Sequence, residues 1–326
     1  MGHVKRLFPY LLALGLIGPN APAPFRHFSE FFAGERAISR ALELLHYEGT
    51  SFDVRYNCLH NLLVPAGFLI ALTCTMTTYK RGIIWWAPPC STWVFMSRHS
   101  TGRSIDPSGS AANLNVQAQN YLVRRLVYLL TVCIKRGVFF VVEQPRSSIM
   151  WSHFAFRRFI RRWDALLDWA TNQQGAWSLD SRKDTILFGY APHLKSDRMN
   201  RMMTAEERKW MADGHTTHTT HYYTGDDGVK RSRGTNRLKK TQAYGLSFGC
   251  AHALAYNEIA PPTNREAPND LDPVNTDDDS TPPPSLVDSE DSCLNDLKYD
   301  DPEYFCGSAP VAGALAKEHD VQLGMS

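Results

Sequence analysis

One pattern occurs three times between residues 30 and 145, and it constrains the fold more than any other feature of the chain. A segment with apolar residues at helical spacing leads through a glycine into a short apolar stretch, and polar residues follow. The spacing predicts helices over residues 38–46, 62–79 and 116–134, each followed by a strand, over residues 51–54, 83–87 and 138–142. An earlier strand is predicted over residues 29–32.

The strands at 83–87 and 138–142 are apolar at every position. Continuous apolar strands are typical of parallel sheets that helices cover on both faces. Basic residues followed by Gly82 and Gly137 indicate helix ends, because cations complement the helix dipole and glycine adopts the left-handed conformation. The alternation predicts an α/β, Rossmann-like fold with a mostly parallel, doubly wound sheet and a small irregular insertion.

Residues able to do chemistry follow each predicted strand. Ala33 and Gly34 form a turn that would let a cofactor approach the backbone, and Asp53, 19 residues after Gly34, suits a ribose hydroxyl pair. Cys90 follows two prolines, and Glu143 follows the last apolar strand. Because ligands of such sheets bind beyond the carboxyl ends of the strands, we expect Asp53, Cys90 and Glu143 to meet around one pocket.

Cys90 is a candidate nucleophile, since the preceding prolines hold the turn rigid. Arg98 and Arg103 in the following loop are expected to lower the pKa of its thiol. That loop, residues 91–112, is rich in serine, glycine and arginine and is expected to form a mobile cover. A buried structural cysteine is the alternative for Cys90, and an ion pair with a nearby arginine is the alternative for Glu143.

Charge is divided unevenly along the chain. Residues 261–326 are proline-rich with a net charge of −12, whereas the rest carries +14. The first composition predicts a disordered acidic tail, and the second suggests a partner that carries phosphate. Residues 1–26 combine basic residues, an apolar run and small residues, which fits either a leader or a plain extension. We find no unbroken apolar stretch of about 18 residues and expect no membrane partner.

Metal binding is not expected. His215, His218 and His221 are spaced H-x2-H-x2-H, which could hold zinc, but the spacing suits no regular face and no carboxylate adjoins. A polar loop is the favoured interpretation. The seven cysteines contain no C-x-x-C pair.

In this order along the chain, the motifs resemble those of the cytosine-5 DNA methyltransferases and of their divergent relatives in protists such as dinoflagellates. Phe32-Ala33-Gly34 with Ile38 resembles the turn that binds S-adenosylmethionine, and Asp53 stands near the ribose-binding acid. Pro88-Pro89-Cys90 resembles the Pro-Cys motif, and Glu143-Gln144-Pro145 resembles Glu-Asn-Val. Residues 242–253, including Phe248, resemble the last family motif. The resemblance covers about residues 27–258, within a predicted methyltransferase-like catalytic domain over residues 27–260, and departs from the family at Arg36, Ala37 and Gln144.

The resemblance implies an S-adenosylmethionine-dependent methyltransferase fold and the methylation of cytosine in DNA. It implies catalysis by Cys90 and Glu143 on a flipped base, with a cofactor site formed by Phe32, Ala33, Gly34, Ile38, Asp53, Pro88 and Phe248. The basic residues assigned to DNA, or to RNA, are Arg98, Arg103, Arg157, Arg158, Arg161, Arg231, Arg233 and Arg237. Residues 146–241 then form a reduced recognition region, and a monomer in the nucleus is expected.

Three other functions stay open. The chain could bind nucleic acid or cofactor without catalysis, which the loss of glycine at positions 36 and 37 favours. It could methylate an exocyclic amino group, although those enzymes place an aromatic residue after the prolines where this chain has Cys90. A cysteine hydrolase using Cys90 and His252 is the remotest of the three.

Overall fold

In the computed structural model, the described residues are 23–177, 181–215, 220–228, 230–234 and 243–262. The predicted acidic tail and most of the predicted leader lie outside these residues. The strands are β1 (Arg26–Phe31), β2 (Gly49–Phe52), β3 (Thr78–Trp86), β4 (Phe139–Pro145), β5 (Asp168–Gln173), β6 (Asp184–Gly189), β7 (Thr220–Thr224) and β8 (Lys230–Gly234). The α-helices are α1 (Ala37–Leu44), α2 (Pro65–Thr77), α3 (Leu114–Arg136), α4 (Phe154–Trp163), α5 (Ala205–Trp210) and α6 (Leu246–Ile259).

Six strands form one sheet in the order β2-β1-β3-β4-β6-β5. The pairs β1–β2, β1–β3 and β3–β4 are parallel, whereas β6 runs antiparallel to both of its neighbours. The chain passes from β1 outward to β2 and then returns to the other side of β1 with β3. The carboxyl ends of β1 and β3 therefore flank a topological switch point, the place where open α/β sheets bind ligands.

Both faces of the sheet are buried, because alternate side chains of each central strand enter different cores. Ile84 and Trp86 of β3 pack into a core with α2, α3 and α4. Ile83 and Trp85 pack into a second core with α1 and α6. The structure thus confirms the Rossmann-like α/β architecture with a mostly parallel sheet. No helix among the described residues is long and apolar enough to cross a membrane.

One predicted helix end is confirmed and one is wrong. Gly137 has φ 63° and closes α3 by donating to the carbonyls of Cys133 and Ile134. Gly82, by contrast, lies inside β3, which starts at Thr78, four residues before it. The threonines at the end of α2 explain the difference, since β-branched residues favour strands over helices, and Thr78 already pairs with Arg26 of β1.

The sheet also extends further than the sequence predicts. β5 and β6 come from residues 146–241, which the sequence assigns to an insertion, yet they complete the sheet beyond β4. Pairing with β6 also prolongs β4 to Pro145, so Glu143 and Gln144 lie within a strand. The polar strand β5 gives no apolar signal because its buried positions include Asn172 and Gln173, whose side chains hydrogen-bond to the backbone of Met199 and Met203. Only the hairpin of β7 and β8 forms a separate two-stranded sheet among the described residues.

Helices α1 and α6 approach each other closely at Gly249. A Cβ atom added there would overlap the carbonyl oxygen of Ala37 at the start of α1. Because α1 follows the turn after β1, this contact places the first turn of α6 beside that turn.

We expect Gly249→Ala to lower the free energy of unfolding by about 1–3 kcal/mol through overpacking, although alanine is the better helix former. Urea denaturation measures the change. Cys250→Ala, at the neighbouring half-buried position, is the control and should shift stability by less than about 1 kcal/mol. Stabilisation by Gly249→Ala would show that the two helices are not in close contact.

Candidate active site

The two predicted catalytic residues lie at the carboxyl edge of the adjacent parallel strands β3 and β4. The segment with Cys90 follows β3, and Glu143 lies in the neighbouring strand β4. Gln144 joins the two segments, because its side-chain amide donates to the Pro88 carbonyl at 2.6 Å. Gln144 in turn accepts a hydrogen bond from Ser148 at 2.9 Å. The turn before Cys90 is therefore fixed to β4 by buried side-chain hydrogen bonds.

Cys90 is half-buried, and its carbonyl accepts hydrogen bonds from the backbone N–H groups of Trp93 and Val94. Burial, together with the nearby Glu143 carboxylate, raises the pKa of its thiol to about 11, and the Lys183 ammonium opposes the shift. The expectation that Arg98 and Arg103 lower this pKa is wrong. The cation that acts on the thiol comes from the segment before β6 instead.

Arg103 is a structural residue, which corrects its assignment to nucleic acid. Its side chain is 3% exposed, and its guanidinium stacks 3.3 Å from the centroid of the Trp93 ring. It also donates to Asn120 at 3.0 Å. A buried guanidinium cannot reach a phosphate, so Arg103 anchors the loop after Cys90. Arg98 is half-buried and donates to the Ser147 carbonyl at 2.8 Å.

Glu143 is 5% exposed and has two polar neighbours. The Tyr244 hydroxyl donates to its Oε2 at 2.7 Å, and the Lys183 Nζ lies 3.6 Å from its Oε1. Burial, together with the Glu143 charge, raises the pKa of Tyr244 well above its usual value. Neither partner was assigned a role from the sequence. Lys183 directly precedes β6, a strand within the predicted insertion. Its side chain comes close to Glu143 because β6 pairs with β4.

The turn after β1 has an unusual backbone. Phe32, Gly34 and Arg36 all have φ between 54° and 60°, the left-handed region that favours glycine. The Gly34 N–H donates to the Asp53 carboxylate at 2.9 Å, so two predicted cofactor residues contact each other. Asp53 also accepts from the backbone N–H of Arg55 at 2.9 Å.

Other residues assigned to the cofactor are buried. Ile38 and Phe248 have no exposed surface, Ala33 is 4% exposed, and Pro88 is buried. Phe248 packs against Trp85 and Tyr244. Side chains without exposed surface cannot contact a ligand. Ile38 and Phe248 are therefore core residues, and their assignment to the cofactor site is wrong. Phe32, Gly34 and Asp53 keep part of their surface exposed.

Glu30, at the end of β1, is a candidate that sequence reasoning missed. Its fully buried carboxylate accepts hydrogen bonds from the Ser39 N–H at 2.8 Å and the Ser39 hydroxyl at 2.5 Å, in the first turn of α1. Burial raises its pKa to about 7. Its Oε1 atom has no hydrogen-bond partner among the described residues. A carboxylate thus occupies the helix N-terminus where a phosphate would otherwise bind. Alternation along β1 can predict which of its side chains are buried. It cannot predict that the buried side chain of Glu30 accepts hydrogen bonds from the first turn of α1.

The other predicted nucleic-acid residues lie on different elements of the chain. Arg157, Arg158 and Arg161 of α4 are exposed and form no salt bridge with another described residue. A cavity of about 320 Å³ is lined by Arg157, Ile160 and Arg161. Arg231 and Arg233 lie in β8, whereas Arg237 lies outside the described residues.

The histidine motif is only partly described. His215 ends the turn after α5 and His221 lies in β7, while His218 is outside the described residues. Within the described ranges, no group of three or more potential ligands is placed to hold a metal ion. His252, the remote hydrolase candidate, is fully buried and contacts His193 at 3.2 Å, away from solvent.

A larger cavity, of about 520 Å³, lies beside the first turns of α6. It contains none of the predicted catalytic or cofactor residues. The two arginines in its wall already pair with carboxylates, Arg198 with Glu258 and Arg201 with Glu207. The catalytic candidates therefore lie outside this cavity, at the strand ends.

No protein-family model matches this chain, and no curated protein is significantly similar to it. The function must therefore be argued from the residues and their geometry. Two groupings carry that argument: the pair Cys90 and Glu143, and the acids Glu30 and Asp53 around the turn after β1.

We expect Glu30→Gln to change how stability depends on pH. The pKa of Glu30 is raised in the folded protein, so its stabilising contribution is complete below pH 4.5 and is lost as pH rises through about 7. Glutamine cannot ionise, so the variant does not lose stability in this way as pH rises. The free energy of unfolding of the variant minus that of the wild type should therefore increase by about 1–3 kcal/mol between pH 5 and pH 8.

Urea denaturation at both pH values measures this difference. Glu48→Gln, at an exposed carboxylate, is the control. A difference between wild type and Glu30→Gln that stays constant with pH would contradict the buried, perturbed carboxylate.

Proposed function

We propose that this protein is an S-adenosylmethionine-dependent methyltransferase that acts on carbon 5 of cytosine in DNA. The observation that carries the proposal is a half-buried cysteine after β3 and a buried glutamate in the adjacent parallel strand β4, close enough for the carboxylate to raise the pKa of the thiol. The ordered resemblance of the motifs to the cytosine-5 methyltransferases supports it.

The two residues supply what addition to a cytosine ring requires. Carbon 5 becomes nucleophilic only after a nucleophile has added to carbon 6 and made an enamine. A sulfur–carbon bond forms from the Cys90 Sγ, while a proton bound to the Glu143 carboxyl hydrogen-bonds to the ring nitrogen N3 and neutralises the charge that develops there.

Because the pKa of the Cys90 thiol is raised, the scheme needs a proton acceptor for the thiol, and Glu143 is the proposed acceptor. With Glu143 ionised, Cys90 is a thiol, and the carboxylate is one cause of its high pKa of about 11. Transfer of the thiol proton to Glu143 creates the thiolate and the acid in a single step, and no proton is gained or lost.

The turn after β1 suits a cationic cofactor better than a dinucleotide. Glu30 is a carboxylate at the N-terminus of α1, so it would repel a pyrophosphate placed there. The same negative charge, which acts through space because the Glu30 side chain is fully buried, would favour a ligand bearing ammonium and sulfonium groups. Asp53 would accept hydrogen bonds from ribose hydroxyls. When bound, S-adenosylmethionine supplies an electrophilic methyl group.

Contact with DNA is assigned to the exposed arginines of α4. The cysteine cannot reach a stacked base, so the target cytosine has to be flipped out of the duplex, at a cost of roughly a few kcal/mol. Arg157, Arg158 and Arg161 would repay part of that cost through phosphate contacts. These contacts position the duplex and do not read its sequence.

We expect Cys90→Ala to lower 5-methylcytosine formation at least about 100-fold while leaving cofactor binding intact, because only the covalent step is lost. Each protein is incubated with labelled S-adenosylmethionine and duplex DNA, and nucleoside mass spectrometry detects the product. Cys58→Ala, at an exposed free cysteine, is the matched control and should keep full activity. Equal activity of Cys90→Ala and wild type would refute the nucleophile.

Replacement of Arg157, Arg158 and Arg161 by alanine should weaken binding to a duplex. The magnitude of the slope of log K against log salt concentration should fall by about 2–3, because the variant has lost three phosphate contacts and therefore releases fewer counterions on binding. Fluorescence anisotropy at several salt concentrations measures this slope. Arg198→Ala, at an arginine paired with Glu258, is the control. An unchanged slope in the triple variant would exclude α4 from the interface.

A second candidate function is binding without catalysis. One observation favours it: the Gly34 N–H and the Asp53 carboxylate are already bonded to each other, and Arg36 occupies a left-handed position that glycine would tolerate better. A thermal-shift titration of wild-type protein with S-adenosylmethionine distinguishes the two. A stabilised protein with no methylated product would support binding alone.

A further inference from the structure

Lys183 is placed at the centre of the candidate site although no motif points to it. Its Nζ lies 3.6 Å from the Glu143 Oε1 and 4.9 Å from the centroid of the Tyr244 ring. The side chain is 16% exposed. A lysine with little exposed surface keeps its charge only where anions or a π face compensate for lost water. Glu143 and Tyr244 provide both.

The backbone of Lys183 is strained. Its φ of 28° lies in the left-handed region, which a lysine rarely adopts. Lys183 is the last residue before β6, which begins at Asp184 and pairs with β4 from Thr185 onward. Residues in such conformations persist where the surroundings fix them, and they are concentrated at functional sites.

The charge of Lys183 also acts on Cys90. The charges of Glu143 and Lys183 have opposite effects on the thiol: the carboxylate raises its pKa and the ammonium lowers it. The titratable groups that face Lys183 are thus Glu143, Tyr244 and Cys90. Its chain neighbours Arg182 and Asp184 pair with each other at 3.1 Å.

We propose that Lys183 is the counter-cation of the Cys90–Glu143 pair: it holds the Glu143 carboxylate while that group is ionised and stabilises the Cys90 thiolate once the proton has moved. This inference rests on the proposed function and adds a positioning residue to it. Before proton transfer the negative charge is on Glu143, and afterwards it is on the sulfur. One cation beside both keeps the sum of the three charges at zero in either state.

This role predicts opposite effects of two substitutions on one thiol. Lys183→Met removes the stabilising cation and should slow alkylation of Cys90 by iodoacetamide about 3–10-fold at a fixed pH below the pKa. Glu143→Gln removes the opposing anion and should accelerate the same reaction by a similar factor, because the thiolate fraction changes tenfold for each unit of pKa. Lys183→Arg keeps the charge and should stay within about twofold of wild type.

The experiment measures alkylation of full-length protein between pH 7 and pH 9.5, with mass spectrometry of the Cys90 peptide. The exposed Cys58 in the same samples is an internal reference whose rate should not change. Lys195→Met is the matched control, since Lys195 is also paired with an acid, Asp168 at 3.0 Å, but is 74% exposed. Far-ultraviolet circular dichroism confirms that each variant is folded.

Two results would overturn the proposal. If Lys183→Met leaves the Cys90 rate unchanged, the lysine does not act on the sulfur. If Lys183→Met and Glu143→Gln change the rate in the same direction, the substitutions loosen the site and do not act through charge. Should Lys183→Met fail to fold, Lys183→Gln and Lys183→Arg are compared in its place. The alkylation experiment does not measure methyl transfer. Its result can therefore contradict the role of Lys183 without contradicting the proposed methylation, and the reverse also holds.

Discussion

The hydrogen bond from the Gln144 side chain to the Pro88 carbonyl is the interaction on which the candidate site depends. Gln144 is fully buried, so its amide must find partners inside the protein, and it finds them in Pro88 on one side and Ser148 on the other. The bond joins the end of β3 to β4, two parallel strands whose carboxyl ends meet at one edge of the sheet. It thereby fixes the Cys90 segment relative to Glu143. Gln144 is also a departure from the asparagine of the methyltransferases that the sequence resembles, and its longer side chain spans this gap.

Desolvation of acids is the second physical theme of this edge. Glu30 near the end of β1 and Glu143 in β4 are both buried, and different groups contact the two carboxylates. Glu30 relies on the N–H and hydroxyl groups of the first turn of α1, whereas Glu143 relies on Tyr244 and Lys183. The first arrangement favours a cationic ligand at the turn after β1. The second sets the charge around the sulfur of Cys90. In the proposed function, the charge of a buried carboxylate therefore acts both on the cofactor site and on the catalytic pair.

Much of the fold could be predicted from local sequence. The apolar strands 83–87 and 138–142 can be stable only between two layers of helices, and Gly137 ends α3 as its position predicts. The prediction failed where tertiary pairing overrode local preference. The sequence pattern predicts a helix end at Gly82, but pairing of Thr78 with β1 places that segment in the sheet. The polar strand β5 has no apolar periodicity, because buried positions in it hold Asn172 and Gln173, which only the tertiary structure supplies with hydrogen-bond partners. Arg103 looked like a phosphate ligand, and only its stacking on Trp93 reveals a buried anchor.

The sequence by itself determined the class of fold and the order of the strand-end residues, since both follow from periodicity and from the rule that parallel strands end at one edge. It could therefore propose Asp53, Cys90 and Glu143 as neighbours. Only the tertiary structure decided which charges surround them. Lys183 and Tyr244 are 40 and 101 residues away from Glu143 along the chain. Electrostatic interactions fall off with distance in space and with exposure to water, and neither quantity can be obtained from spacing along the chain.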